Sequence, residues 1–133
     1  MSYFNKIVLV LALFFTGMRA GAAQPEQDVF VPIAKYIEAG DFTRLSVWFA
    51  DNLEIDMMGD VTECSKSQAE RIFEEFFEKH KPHSFVVLHK SGRSPMKYAI
   101  GELSASGEKF RLSIFVKLSE SGNYIQQLRI ERP

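Results

Sequence analysis

Five apolar residues, Phe110, Leu112, Ile114, Val116 and Leu118, alternate with Arg111, Ser113 and Lys117. Only an extended chain sends neighbouring side chains to opposite faces, so this run predicts a β-strand with one buried face and one wet face. Phe115 stands on the wet side and marks a candidate contact surface there. Phe85 to Lys90, Met96 to Leu103 and Tyr124 to Glu131 read as further strands around it. Ser91-Gly92, Ser106-Gly107 and Ser121-Gly122 recur at fifteen-residue steps. That spacing predicts a meander of antiparallel hairpins of similar length.

Helical periods dominate the segment before these strands. Asp28 can cap a helix whose apolar positions are Val29, Phe30, Ile33, Tyr36 and Ile37, with Pro32 near its first turn and Gly40 as its stop. Asp41 can cap a second, shorter helix in which Leu45, Trp48 and Phe49 share a face, ended by Asp51-Asn52. Leu53, Ile55 and Met57 then alternate as a strand. Ser65 with Gln68 forms a capping box before the stripe Ala69, Ile72, Phe73, Phe76 and Phe77, and Pro82 closes this third helix. Glu70, Glu74, Glu75 and Glu78 with Arg71 and Lys79 give it a solvated face. The expected class is α+β: three N-terminal helices packed on a strongly curved antiparallel sheet of about five strands, in the order ααβαββββ.

The first 23 residues read as an address. Lys6 precedes the apolar run from Ile7 to Phe15, and small residues ending Ala20-Gly21-Ala22-Ala23 follow, the order of a secretory signal peptide. Even extended to Met18 the run is shorter than the roughly 17 to 25 residues that cross a bilayer. The expected organisation is a signal peptide at 1–23, cleaved near Ala22/Ala23, then a single domain at 24–133 that is periplasmic or secreted without a stable membrane anchor. Losing Lys6 and Arg19 and no acid lowers the sixteen Lys and Arg to fourteen against seventeen Asp and Glu. No basic field is left to neutralise phosphates, so no nucleic-acid partner is expected. Cys64 is the only cysteine. An internal disulfide is therefore excluded, and the core must rest on apolar packing supplied largely by phenylalanine.

Candidate chemistry is sparse. The chain contains no phosphate-cradling glycine loop, no C-x-x-C, no G-x-S-x-G and no H-E-x-x-H. His80 and His83 have a metal-like spacing, but Pro82 interrupts the helix that would align them, and no metal or cofactor is expected. Lys79, His80, Lys81 and His83, with Lys90, Arg93 and Lys97 further on, read as a weak basic patch at a solvated end. Cys64 precedes a helix start, where a thiolate can be favoured; a buried inert thiol is the plainer reading. His89, sharing a strand face with Phe85 and Val87, and Tyr98, sharing one with Met96 and Ile100, can each project into the interior of the curved sheet as a polar tip among apolar walls. Gln126, beside Tyr124, Leu128 and Ile130, is similar. Trp48 can floor a pocket. These four are the candidate ligand-binding residues, and Asp56, His89 and Tyr36 the candidates for catalysis.

Two stretches carry a resemblance. Ala39-Gly40-Asp41-Phe42-Thr43-Arg44-Leu45, running into Trp48 through Ile55, resembles the helix-to-first-strand segment of nuclear transport factor 2-like (cystatin-like) domains. The start from Phe30 to Asp41 and the end from Asn123 to Glu131 resemble a family of exported Bacteroidetes domains of unknown function. The resemblance implies a cone of sheet around helices. It also brings in a superfamily with isomerases, dehydratases, cyclases, transport factors and accessory domains, among which fold alone does not choose. Ketosteroid isomerase uses an Asp base with a Tyr and a protonated Asp as oxyanion donors. Asp56 and Tyr36 are the positions here that the resemblance offers for base and donor, and only Glu108 and Glu120 stand near the place of the second acid.

The expected function is that of a non-catalytic exported domain. It would bind a small apolar ligand or a peptide in the cone, or mediate protein–protein contact, including a homodimer through the open sheet face with Phe115, Lys117 and Arg111. The alternative is a small isomerase-, dehydratase- or cyclase-like enzyme with Asp56 or His89 as base and Tyr36 or Tyr98 as donor.

Overall fold

A computed structural model describes residues 28–133, so the expected signal peptide lies outside the described residues. The Phe30 N–H donates to the Asp28 carboxylate at 2.9 Å, opening helix α1, Phe30–Ala39. Gly40 closes it at φ +66°, a left-handed position that a Cβ resists. The Arg44 N–H then donates to Asp41 at 3.0 Å, which starts helix α2, Phe42–Ser46. This helix is shorter than the apolar spacing predicts. Trp48 and Phe49 leave it because sheet pairing claims their backbone: the Ile125 N–H donates to the Trp48 carbonyl at 2.6 Å, and Phe49 begins strand β1, Phe49–Met57.

Met58 and Gly59 turn the chain with positive φ at both residues, +52° and +92°, the requirement of a tight hairpin. The turn leads into strand β2, Asp60–Ser65. Sequence periodicity missed β2, since its first four residues are exposed and no buried face imposes alternation on them. Ser65 and Gln68 form the expected capping box of helix α3, Lys66–Lys79. The last four strands are β3 (Pro82–Arg93), β4 (Met96–Ala105), β5 (Glu108–Ser119) and β6 (Gly122–Glu131). The first of their turns falls at Ser94-Pro95, not at Ser91-Gly92, which is paired within the β3–β4 ladder.

The observed order is ααββαββββ, and the six strands form one sheet in the order β2-β1-β6-β5-β4-β3. Two expectations are corrected here: the sheet has six strands, and it is mixed. β1 runs parallel to β6 while the other neighbouring strands are antiparallel. That one parallel contact joins the first strand to the last.

One side of the sheet is buried under the helices. Leu53, Ile55, Leu103, Phe110, Leu112, Ile114, Val116, Ile125, Leu128 and Ile130 meet Ile33, Ile37, Leu45, Ala69 and Phe73 in a continuous core. Phe49, Phe73 and Phe110 are fully buried at its centre, and Phe49 and Phe73 lie 5.8 Å apart. Burying each such ring contributes roughly 1.5–3 kcal/mol. Gly101 admits the Phe85 ring against the backbone: a Cβ there would sit 2.4 Å from the Phe85 Cζ.

Candidate functional site

Two bulges decide which side chains reach the open side of the sheet, the side without helices. In β3 the ladder pairs Val87 with Gly101 and His89 with Ile100, so Leu88 is an extra residue. The inserted residue turns His89 away from Phe85 and Val87. His89 therefore lies on the open side, not in the cone as uninterrupted alternation predicts. In β6 the ladder pairs Ile125 with Val116 and Gln127 with Phe115, leaving Gln126 as the extra residue. Ile125, Leu128 and Ile130 consequently all enter the core. Gln126 no longer shares a regular face with Tyr124, Leu128 and Ile130; it lines a cleft of about 540 Å³ with Asn52, Glu63, Cys64 and Gln68.

The register then builds the open face row by row. Tyr98 on β4 faces Phe115 on β5, and Phe115 faces Gln127 on β6. Gln127 in turn faces Glu54, and Glu54 faces Glu63. A second row runs Ile100, Ser113, Arg129, Asp56, Val61. His89 and Tyr98 have ring centroids 5.9 Å apart, and Tyr98 stacks on Phe115 at 5.7 Å. The result is a ladder of three rings across three strands. Val86, Leu88 and Met96 are exposed at 55%, 64% and 42%, so the ladder has apolar neighbours at the β3–β4 end of the sheet.

Charges of both signs border these rings. The Arg129 guanidinium lies 3.3 Å from the Asp56 carboxylate and 3.8 Å from that of Glu131. Arg111 faces Glu102 on one side and Glu131 on the other. Lys117 is exposed in the row beyond Phe115, opposite Met96 and Tyr124.

The structure brings His89 and Tyr98 together and separates the other candidates. Asp56 is on the open side, where it also accepts the Gly59 N–H at 3.0 Å. A carboxylate held by a guanidinium and a backbone amide is engaged in closing the β1–β2 hairpin. Tyr36 packs half-buried against the core from α1, across the sheet from Asp56, so the pair offered for base and donor does not face a common space. Trp48 also packs half-buried against the core, at the α2–β1 junction. His80 sits 5.0 Å from both Phe76 and Phe110, with its Nδ1 3.6 Å from Glu108. Among the described residues no three His, Cys, Asp or Glu gather where they could hold a metal ion.

Cys64 is buried, and its Sγ lies 3.8 Å from the Leu53 carbonyl oxygen. Burial pushes the thiol pKa up, which favours the unreactive protonated form. The sequence reading missed Gln127 and Arg129 as members of the open face. A signal for them exists: Ile125, Leu128 and Ile130 are spaced by three and then two, and a strand whose core residues change spacing contains a bulge. Among the described residues no helix is long and apolar enough to cross a membrane.

Solved structures place this architecture. A DUF4783 family protein from Bacteroides ovatus shares 27% identity and a TM-score of 0.76 with the chain, covering 81% of it and 98% of its own length. One from Bacteroides uniformis shares 25% identity and a TM-score of 0.76, covering 80% and 98%. An NTF2-like protein of unknown function from Cytophaga hutchinsonii, 14% identical with a TM-score of 0.59, covers 82% of this chain and 91% of its own and supports the fold alone. No curated protein matches the sequence. The family described as Domain of unknown function (DUF4783) matches residues 30–131, and the chain belongs to that family, with an α+β fold of the NTF2-like kind.

Proposed function

We propose that this chain is an exported, non-catalytic interaction domain whose open sheet face associates with the same face of a second copy. The observation that carries the reading is the His89–Tyr98–Phe115 ladder beside exposed Val86, Leu88 and Met96. Aromatic rings with apolar neighbours on an exposed strand face are the composition of an interface centre. The size is adequate as well. Six strands at about 4.8 Å spacing, each giving about eight residues at about 3.3 Å, make a face of roughly 760 Å² before side-chain relief, near the roughly 800 Å² per partner of a stable interface. The Arg111, Lys117 and Arg129 cations alongside Glu54, Glu102 and Glu131 supply both signs on one surface, which a two-fold interface needs in order to be self-complementary.

The interior supports this reading over a ligand held in the cone, because Phe49, Phe73 and Phe110 already fill its centre. The separation of Asp56 from Tyr36 likewise favours interaction over isomerase-like chemistry. Export rests on the signal-like first 23 residues and is checked by an intact mass starting near Gln24 in the exported fraction.

Sedimentation velocity of the chain from Gln24 onward, over a wide concentration range, tests the association. A monomer–dimer equilibrium that Tyr98→Asp shifts to monomer is expected. A wild-type monomer at every concentration would overturn the proposal.

A further inference from the structure

A second site lies on the other side of the sheet. A cleft of about 790 Å³ opens between the start of α1, the β3–β4 hairpin and the β5–β6 turn. Lys90 pairs across the ladder with buried Ala99, and Lys97 with buried Val116. Both lysines thus project on the helix side, away from the Tyr98–Phe115 rings. Val29, Phe30 and Leu118 give the cleft an apolar floor, while Ser91, Ser94, Glu120 and Asn123 stand around it. These last four make no side-chain hydrogen bond within the described residues.

The charge balance selects the ligand class. Among the described residues that line the cleft, two lysines, Lys90 and Lys97, are matched by two carboxylates, Asp28 and Glu120. Asp28 already bonds Lys90. A phosphate or carboxylate ligand requires a surplus of cations that the described lining lacks, and a lipid tail requires walls with few polar groups. A ligand dense in neutral hydroxyls meets neither obstacle. Its hydroxyls can donate to Glu120, accept from the Asn123 amide and exchange either way with Ser91 and Ser94. The C–H face of a sugar ring can lie on half-buried Leu118, above the buried Val29 and Phe30, and a volume of this order admits two or three such rings. We propose that this cleft binds a neutral, polyhydroxylated ligand, a short oligosaccharide.

Amide chemical-shift titrations of the chain from Gln24 onward, with maltotriose, cellotriose and chitotriose as separate probes, test the site. The expected result is saturable shifts of residues 91–94 and 118–123 with at least one probe, weakened about tenfold by Asn123→Ala, the cost of one good hydrogen bond to a ligand. Glu120→Gln supplies a second variant in the same β5–β6 turn, and the unchanged remainder of each spectrum reports that the variant is folded. Three outcomes would overturn the assignment: no saturable shift with any probe, shifts centred on Tyr98 and Phe115, or binding indifferent to both variants. The oligomeric state enters none of these readouts, so this site and the proposed dimer face succeed or fail separately.

Discussion

The ring of Phe115 stacks on that of Tyr98 with centroids 5.7 Å apart and planes inclined by 30°. The two residues face each other directly across β4 and β5, and His89 extends the row from β3. A cross-strand aromatic pair of this kind stabilises a sheet by roughly 0.2–1 kcal/mol. Both rings lie on the side that no helix covers and are only half-buried, so the proposed interface would cover them.

Phe115→Asp should therefore separate association from folding. The expected outcome is loss of the dimer with a fall in unfolding free energy of about 1 kcal/mol, the scale of one exposed-face aromatic contact. Sedimentation and denaturant unfolding of the same sample measure both quantities. A large loss of stability would mean that the ring serves the fold instead.

Gly101→Ala should behave in the opposite way. An added Cβ meets the Phe85 ring at 2.4 and 2.6 Å and the Val86 carbonyl oxygen at 2.9 Å, so the core must shift. Overpacking of this sort costs about 1–3 kcal/mol, read as a lower urea midpoint. Adding Phe85→Leu should recover part of the loss, because it removes the ring but leaves the backbone contact. Failure of the double variant to improve on the single one would place the cost in the Val86 backbone.

The Asp28–Lys90 pair should give a small acid-sensitive contribution to stability. Lys90 above all, with the Phe30 N–H and the charge of Lys97, holds the Asp28 carboxyl below its usual range against the opposing effect of burial. A carboxylate depressed in the folded state stabilises fully above its unfolded pKa, near about 4, and loses that contribution as pH falls through the folded value. Asp28→Asn should therefore cost a few tenths of a kcal/mol at neutral pH, the scale of a solvent-exposed pair. The difference from wild type should vanish in strongly acidic solution. Urea unfolding at a series of pH values checks both halves, and a cost independent of pH would assign the effect to the capping of α1 instead.

Cys64 should resist alkylation in the folded chain. Burial both blocks access and raises the thiol pKa, so iodoacetamide labelling near neutral pH should run at least about tenfold slower than in urea. Equal rates in the two states would show that the β2–α3 junction opens freely.

Much of the fold was legible because strong local chemistry agreed with the tertiary arrangement. Ser65 and Gln68 cap α3 as their spacing requires, Gly40 ends α1, and Phe110 to Val116 alternate into the core. The α+β class followed from these elements. β2 was not legible, since Asp60 to Glu63 are exposed and carry no buried period. α2 was overread because Trp48 and Phe49 fit a helical face, whereas pairing with Ile125 draws their backbone into the sheet.

The candidate site was legible in part. Phe115 was visible as an apolar residue on a wet face; Tyr98 does share a face with Met96 and Ile100, but that face is the open one and not the interior of the cone. The expectation that His89 points into the cone failed on one inserted residue, Leu88, because a single bulge reverses every side chain after it. Gln126 was misplaced for the same reason. The parallel pairing of β1 with β6, which brings Asp56 to Arg129, joins segments too distant in sequence for any local pattern to reveal.

Isotope-filtered NMR on a mixture of labelled and unlabelled chain tests the central claim most directly, since it records only contacts between molecules. The proposed interface gives intermolecular signals among Met96, Tyr98, Ile100 and Phe115. A dimer whose intermolecular signals come from α1 or α3, or a chain that gives none at concentrations where its mass is that of a monomer, would contradict it.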